Sequence, residues 1–244
     1  MKRPPTLLLL AVLLGCLFPA QSAAQDDYSL FHEKAGSASL LYRGHKAFVY
    51  VLRFNGTHYW STPVFQQGEV VYNGKRYSDV LLNLDASRQD LVLRLDDGVS
   101  AKVLDRDCVR ECSFGGQHFL NLQNLYGESA PSGYWEVLYD GRSKIVRRVV
   151  KTLENDMEGN KRAQTHFEGE YRPNVFQTFT YSESYCYVSE DGRVVPMKRR
   201  RDLLKQIDKA QRREVRRHIR SLETAGMLPF GTYCVEGIKY LESR

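Results

Sequence analysis

Short alternations of apolar and polar residues, broken by Asn-Gly or Asp-Gly pairs, fill the middle of this chain. GEVVYNGKRYSDVLLNL (68–84), LVLRLDDGVSAKVL (91–104), YWEVLYDGRSKIVRRVV (134–150) and SYCYVSEDGRVVPMK (184–198) each read as strand, tight turn, strand. Asn and Gly tolerate the positive φ that two-residue hairpin turns demand, so Asn55-Gly56, Asn73-Gly74, Asp97-Gly98, Asp140-Gly141 and Asp191-Gly192 all mark hairpins. Between Tyr134 and Tyr139 the period of two puts Trp135, Val137 and Tyr139 on one side, the more apolar one, which is expected to face the core.

Toward the C-terminus the period lengthens. Asp202 to Ile207 fits a short helix with Leu203, Leu204 and Ile207 on one side. Asp208 reads as the N-cap of a second helix whose stripe is Val215, Ile219 and Leu222, ended by Gly226 and Pro229. Thr232 reads as the cap of a last helix carrying Val235, Ile238 and Leu241. Residues 154–174 are polar and aperiodic, the pattern of a long loop, and turn formers cluster from Gly127 to Gly133.

The expected fold is therefore α+β, mainly β: an antiparallel β-meander or partial barrel of hairpins with C-terminal helices. Hairpin regions are read at 45–126 and 134–200, and basic helices at 201–244; residues 45–244 suit one domain as well as two lobes.

The N-terminus carries a different pattern. Lys2 and Arg3 precede an apolar run at 7–18, then Pro19 and the small residues Ser22, Ala23 and Ala24. This is the layout of a signal peptide over 1–24, followed by an extension over 25–44. The run is shorter than the ~20 residues that span a bilayer as a helix. Leu13-Leu14-Gly15-Cys16 also resembles a lipobox, so lipid anchoring through Cys16 stands as an alternative to a free periplasmic or secreted chain. Cleavage after Ala24 leaves 244 minus 24, or 220, residues and lowers the net charge from +6 to +4 with the loss of Lys2 and Arg3.

Export changes the reading of the cysteines. Cys108, Cys112, Cys186 and Cys234 remain, an even number in an oxidising compartment, and the pairs Cys108–Cys112 and Cys186–Cys234 are the preferred disulfides. The C-x3-C spacing lacks a companion histidine pair, so neither a metal nor any other cofactor is expected.

Charge is concentrated between Lys198 and Arg220, where eleven Lys or Arg face only Asp202, Asp208 and Glu214. Arg212, Arg213, Arg216, Arg217 and Arg220 crowd one helix surface, with like charges four apart that an anionic partner would relieve, and Arg212, Arg213, Arg216 and Arg217 are the candidate ligand residues. Export and the lack of interleaved aromatics exclude nucleic acid. An anionic lipid or glycan remains, beside the plainer reading of a solvated face whose arginine stems cover apolar flanks. Tyr59 and Trp60, next to the Asn55-Gly56 turn, are candidate stacking residues if exposed and core if buried. Asn55-Gly56-Thr57 also matches a glycosylation acceptor.

Catalytic signatures are missing: there is no G-x-S-x-G, S-x-x-K, H-E-x-x-H or Walker A, and the six histidines are scattered. Carboxylate pairs can come from distant strands, so a carbohydrate-active or other hydrolytic enzyme stays an alternative.

LYRG (41–44), NGTHYW (55–60), GEVVYNGKRYSDVLLNLDA (68–86), FGGQHFLNL (114–122) and GYWEVLYDG (133–141) together resemble an uncharacterised family of exported cell-envelope proteins from Bacteroidetes. The basic C-terminal segment fits as well. The resemblance implies an envelope setting and carries no activity and no site residues. The expectation is a non-enzymatic binding or structural module whose partner is an envelope protein, glycan or anionic lipid.

Overall fold

A meander of antiparallel strands carries the molecule, because the turn residues reverse the chain every few residues. The computed structural model describes residues 40–50, 54–95, 97–155, 177–223 and 226–243. The leader, Cys16, most of the extension and nearly all of the long loop lie outside the described residues. Twelve strands are seen among them: β1 (His45–Lys46), β2 (Phe54–Asn55), β3 (Gln66–Tyr72), β4 (Lys75–Asp85), β5 (Asp90–Arg94), β6 (Ala101–Val103), β7 (Val109–Phe114), β8 (Gln117–Asn121), β9 (Tyr134–Asp140), β10 (Lys144–Asn155), β11 (Gln177–Val188) and β12 (Val194–Met197). Four α-helices accompany them: α1 (Leu122–Tyr126), α2 (Arg200–Lys205), α3 (Arg212–Leu222) and α4 (Phe230–Glu242). All belong to the compact unit Leu41–Arg244.

One sheet unites both hairpin regions, in the order β1-β6-β5-β4-β3-β7-β8-β9-β10-β11-β12. The neighbours on this path are antiparallel, and β2 adds a short parallel pairing to β11. The Asn73-Gly74 turn works as its sequence dictates, with φ of 50° and 75°. Asn55-Gly56 joins no hairpin, since β2 pairs only with β11. Gly141 does not take positive φ. Its loop is held instead by Glu242 of α4, which accepts hydrogen bonds from Arg142 N and Ser143 N, both at 2.9 Å, and from the Ser143 and Tyr139 hydroxyls.

The sheet curls without closing. The β4–β5 turn reaches across to β10, where Lys151 N donates to Ala86 O (3.2 Å). Gln89 completes the stitch: its amide nitrogen donates to Ala86 O and Val149 O, and its amide oxygen accepts from Tyr134 N. Side-chain hydrogen bonds thus do part of the work that strand pairing does in a barrel.

Alternation on β10 and β11 separates two cores. Ile145, Tyr185 and Tyr187 face α2, α3 and α4, packing with Leu203, Leu204, Ile207, Val215, Ile219, Tyr233 and Ile238. Val146, Cys186 and Val188 point the opposite way and pack with Leu122, Ala130 and Trp135. Trp135 and Val137 share this second core, but Tyr139 belongs to the first. A bulge is the reason: Ile145 pairs with Tyr139 and Val146 with Val137, so the extra residue Leu138 flips the alternation.

The helix boundaries also differ from expectation. Asp208 contributes its backbone carbonyl, accepting from Gln211 N and Arg212 N, and α3 starts at Arg212. Thr232 lies inside α4, which begins after Pro229. Leu222 is exposed, because the stripe runs past the end of the core that receives Val215 and Ile219. Gly237 lets α4 approach closely; a Cβ there would stand 2.9 Å from Leu203 Cδ2.

Candidate functional site

The basic segment folds into two kinds of arginine. Some are fasteners. Arg200 binds Glu223 (2.5 Å) and Leu228 O (2.7 Å) while its guanidinium covers Tyr233 at 4.5 Å, tying α2 to the α3–α4 turn. Arg212, one of the predicted ligand residues, turns inward and donates from Nε to Ile207 O at 2.8 Å.

The others face water. With Val215 and Ile219 directed to the core, a helical step of about 100° puts Arg213, Arg216, Arg217 and Arg220 together in an arc of about 100° on the far side of α3. All four are exposed, and among the described residues none makes an ion pair or side-chain hydrogen bond. Some arginines elsewhere pair with carboxylates, namely Arg76 with Glu69 and Glu111, Arg88 and Arg106 with Asp90, and Arg147 with Glu136 and Glu183, while others such as Arg110 and Arg193 are exposed like those of α3, which differ in being gathered on one helix face. Of the arginines expected to crowd this helix, Arg213, Arg216, Arg217 and Arg220 share the outer face, while Arg212 is engaged with Ile207 O.

Beside this face, α3 and α4 leave a groove of about 260 Å³ lined by Glu214, Arg217, His218, Ser221 and Tyr240. The His218 ring stacks on Tyr240 with centroids 4.2 Å apart and planes 11° from parallel. Ser221 donates its hydroxyl to His218 O.

A second cleft, about 500 Å³, opens where β8 and β9 part beyond their last pair, Phe119–Glu136. Gln117, His118, Glu136, Tyr139 and Asp140 line it. Burial raises the Glu136 carboxyl, and Arg147 partly restores it from Nε (2.8 Å) and Nη2 (2.6 Å). Asp140 is held by Lys144.

Tyr59 and Trp60 sit half-buried at the end of β4. Trp60 N donates to Leu84 O, and its ring meets Phe119 edge-on at 5.3 Å. Tyr59 lies between His58 and Phe65. Beneath them Asp85, 3% exposed, accepts from Tyr50 OH, Ser87 N and Arg88 N. Burial raises Asp85 and lowers His58. Lys151 Nζ donates to the carbonyls of Thr57 and Tyr59. Lys151 and the Trp60–Leu84 backbone bond tie the 57–60 segment to the sheet, while His58 Nδ1 and Trp60 Nε1 are buried without a hydrogen-bond partner.

All four thiols are free in the structure. Cys186 and Cys234 lie in the two cores on opposite faces of the sheet. Among the described residues no group of three His, Cys, Asp or Glu is placed to hold a metal ion, and no helix is long and apolar enough to cross a membrane. Comparisons with protein-family models, curated proteins and solved structures find no match.

Proposed function

We propose that this chain is a non-enzymatic binding module of the cell envelope that docks on an anionic component through the outer face of α3. The observation that carries the reading is the set of four exposed guanidinium groups, Arg213, Arg216, Arg217 and Arg220, gathered on one face and making no ion pair among the described residues. Like charges this close repel, and an anionic surface relieves that repulsion while taking up the positive field. The leader read in residues 1–24 supports an exported setting, and the family resemblance supports an envelope one.

The sheet and the α2–α4 core serve to hold this face outward. Val215 and Ile219 anchor α3, each burying a side chain that contributes about 1.5 to 3 kcal/mol. Arg200 fixes the turn at its C-terminal end. Docking of this kind weakens with salt, because exposed charges are screened over about 8 Å at physiological ionic strength. The test is flotation of the protein with vesicles containing or lacking anionic lipid, and chromatography on an acidic polysaccharide, each at rising salt. Salt-sensitive retention on an anionic matrix and none on neutral vesicles is the expected result; equal partition onto neutral vesicles would remove the basis of the proposal.

A further inference from the structure

Strand β11 is paired along its whole length on one side only. Its twelve residues, Gln177–Val188, all have partners on β10, with no register shift. On the other edge β2 takes Gln177 and Thr178, and β12 takes Tyr185 to Val188. Between them the six residues Phe179–Ser184 have no strand beside them on this edge among the described residues. Thr180, Tyr181, Ser182 and Glu183 are exposed in succession, Tyr181 at 69%.

The ladder decides which main-chain groups point into this lane. Ser189 N donates to Arg193 O, and Pro196, opposite Cys186, has no N–H to give. Antiparallel pairs alternate between bonded and non-bonded, so Tyr185 and Tyr187 bond to β12 while Cys186 and Val188 bond to β10. Carried back along β11, the alternation gives Thr180, Ser182 and Ser184 to β10 and turns the N–H and C=O of Tyr181 and Glu183 outward. Sheet edges are ordinarily blunted by proline, lysine or a bulge. β12 carries Pro196, whereas Phe179–Ser184 has none of the three.

We infer that this lane is a docking site for an extended segment of a partner protein, which adds to β11 as an antiparallel strand. The site is separate from α3 and stands without the docking reading given above. β2 and β12 close the lane at both ends, so at about 3.4 Å per residue it holds a segment of about 20 Å. A second copy of this chain does not fit there edge to edge, because its own twelve-residue β11 would run into β2 and β12. Charge selects the segment. Arg147 is shared between Glu136 and Glu183, which leaves one carboxylate charge unmatched, and a lysine or arginine opposite Glu183 meets it. Two residues on, the position opposite Tyr181 lies on the same face and suits a β-branched or aromatic side chain. The partner motif is therefore a basic residue, any residue, then a β-branched or aromatic one.

The test uses the mature chain and the blocked hexapeptide acetyl-SKTVTS-amide, whose lysine faces Glu183 and whose valine faces Tyr181. Titration followed by amide NMR is expected to shift the Tyr181 and Glu183 amides and slow their exchange with solvent. The Thr180 and Ser182 amides, bonded to β10, are expected to exchange slowly from the start. N-methylation of the peptide's lysine and valine removes the inward donors and is expected to weaken binding about 10-fold or more. N-methylation of the threonine between them, whose N–H faces away, is expected to change little. Glutamate in place of the peptide's lysine is expected to weaken binding about 2- to 5-fold. Tyr181→Pro removes an outward N–H without breaking a bond to β10, so it is expected to abolish binding with little change in thermal midpoint. The peptide series leaves the protein untouched and decides the matter even where Tyr181→Pro does not fold. No shift at Tyr181 and Glu183 with millimolar peptide, or equal binding by the peptide methylated at both inward residues, overturns the proposal. A dimer of the parent chain in sedimentation that Tyr181→Pro disperses would overturn it too, by assigning the edge to a second copy. Anionic-vesicle binding is expected to be unchanged in folded Tyr181→Pro, and its loss would overturn the separation of this site from α3.

Discussion

Glu242 stands at the wrong end of a helix. A carboxylate in the last turn of α4 opposes the helix dipole, by about 0.3 to 1 kcal/mol. On that ground alone Glu242→Ala stabilises the protein. The structure predicts the reverse, because this carboxylate accepts four hydrogen bonds from the β9–β10 hairpin: Tyr139 OH (3.0 Å), Arg142 N (2.9 Å), Ser143 N (2.9 Å) and Ser143 Oγ (2.5 Å). Hydrogen bonds to a charged group contribute about 1.5 to 3 kcal/mol each when isolated, and four sharing one half-exposed carboxylate contribute less than their sum. Removing them and relieving the dipole leaves a net loss of about 2 kcal/mol, or roughly 4 to 8 °C in Tm for a domain of this size. Burial raises the Glu242 carboxyl, but the bonds from Ser143, Arg142 and Tyr139 outweigh it and bring it below its usual value of 4.5. Its contribution is therefore present above that pH and is lost as pH falls through the lower folded value. Calorimetry of the parent and Glu242→Ala between pH 3 and 7 reads both effects. An alanine variant that melts at or above the parent at neutral pH would show that the hairpin clasp contributes nothing.

Three further outcomes follow from the same contacts. Arg147→Ala leaves Glu136, 7% exposed, without its partner; urea unfolding should show a loss of about 2 to 4 kcal/mol, largely recovered in Arg147→Ala with Glu136→Leu, and no recovery would show that the buried carboxylate was not the cost. Burial pushes the Cys186 and Cys234 thiols up to about 12 and raises Cys112 further, so native labelling with iodoacetamide should reach half-exposed Cys108 first and the other three only on unfolding. Early labelling of Cys112 would contradict its placement. Burial raises Asp85, so its contribution to stability is greatest below its usual value of 3.8 and is lost as pH rises through the higher folded value; Asp85→Asn should flatten that part of a urea-midpoint profile, and an unchanged slope would show that Asp85 does not titrate there.

The hairpins were legible where a local rule decides them. Asn73-Gly74 needs only its own two residues to make its turn. The turn between Asp85 and Asp90 was not, because Gln89 takes φ of 56° in a sequence with no turn dipeptide, supported by bonds to Val149 and Tyr134 far along the chain. Gly141 shows the converse, a turn dipeptide whose loop is shaped by a glutamate about a hundred residues away. Alternation along β9 was correctly periodic but failed past Leu138, since a bulge is a property of a strand pair and leaves no mark in one strand. The placement of the cysteines was hidden for a related reason: counting gives an even number, while the side of the sheet each occupies depends on which face α4 covers. The basic face was visible as composition and as a helical arc. Which arginines turn inward was not, because Arg212 finds Ile207 O only once α2 and α3 are packed.

The most direct test of the account compares vesicle partition of the parent chain with Arg213→Gln, Arg216→Gln, Arg217→Gln and Arg220→Gln combined. Each basic residue near an anionic leaflet contributes about 1 kcal/mol. The combined variant should therefore bind anionic vesicles ~10² to 10³-fold more weakly at low salt, with an unchanged circular dichroism spectrum. A combined variant that binds as tightly as the parent would contradict the central claim that this face of α3 is where the protein meets its partner.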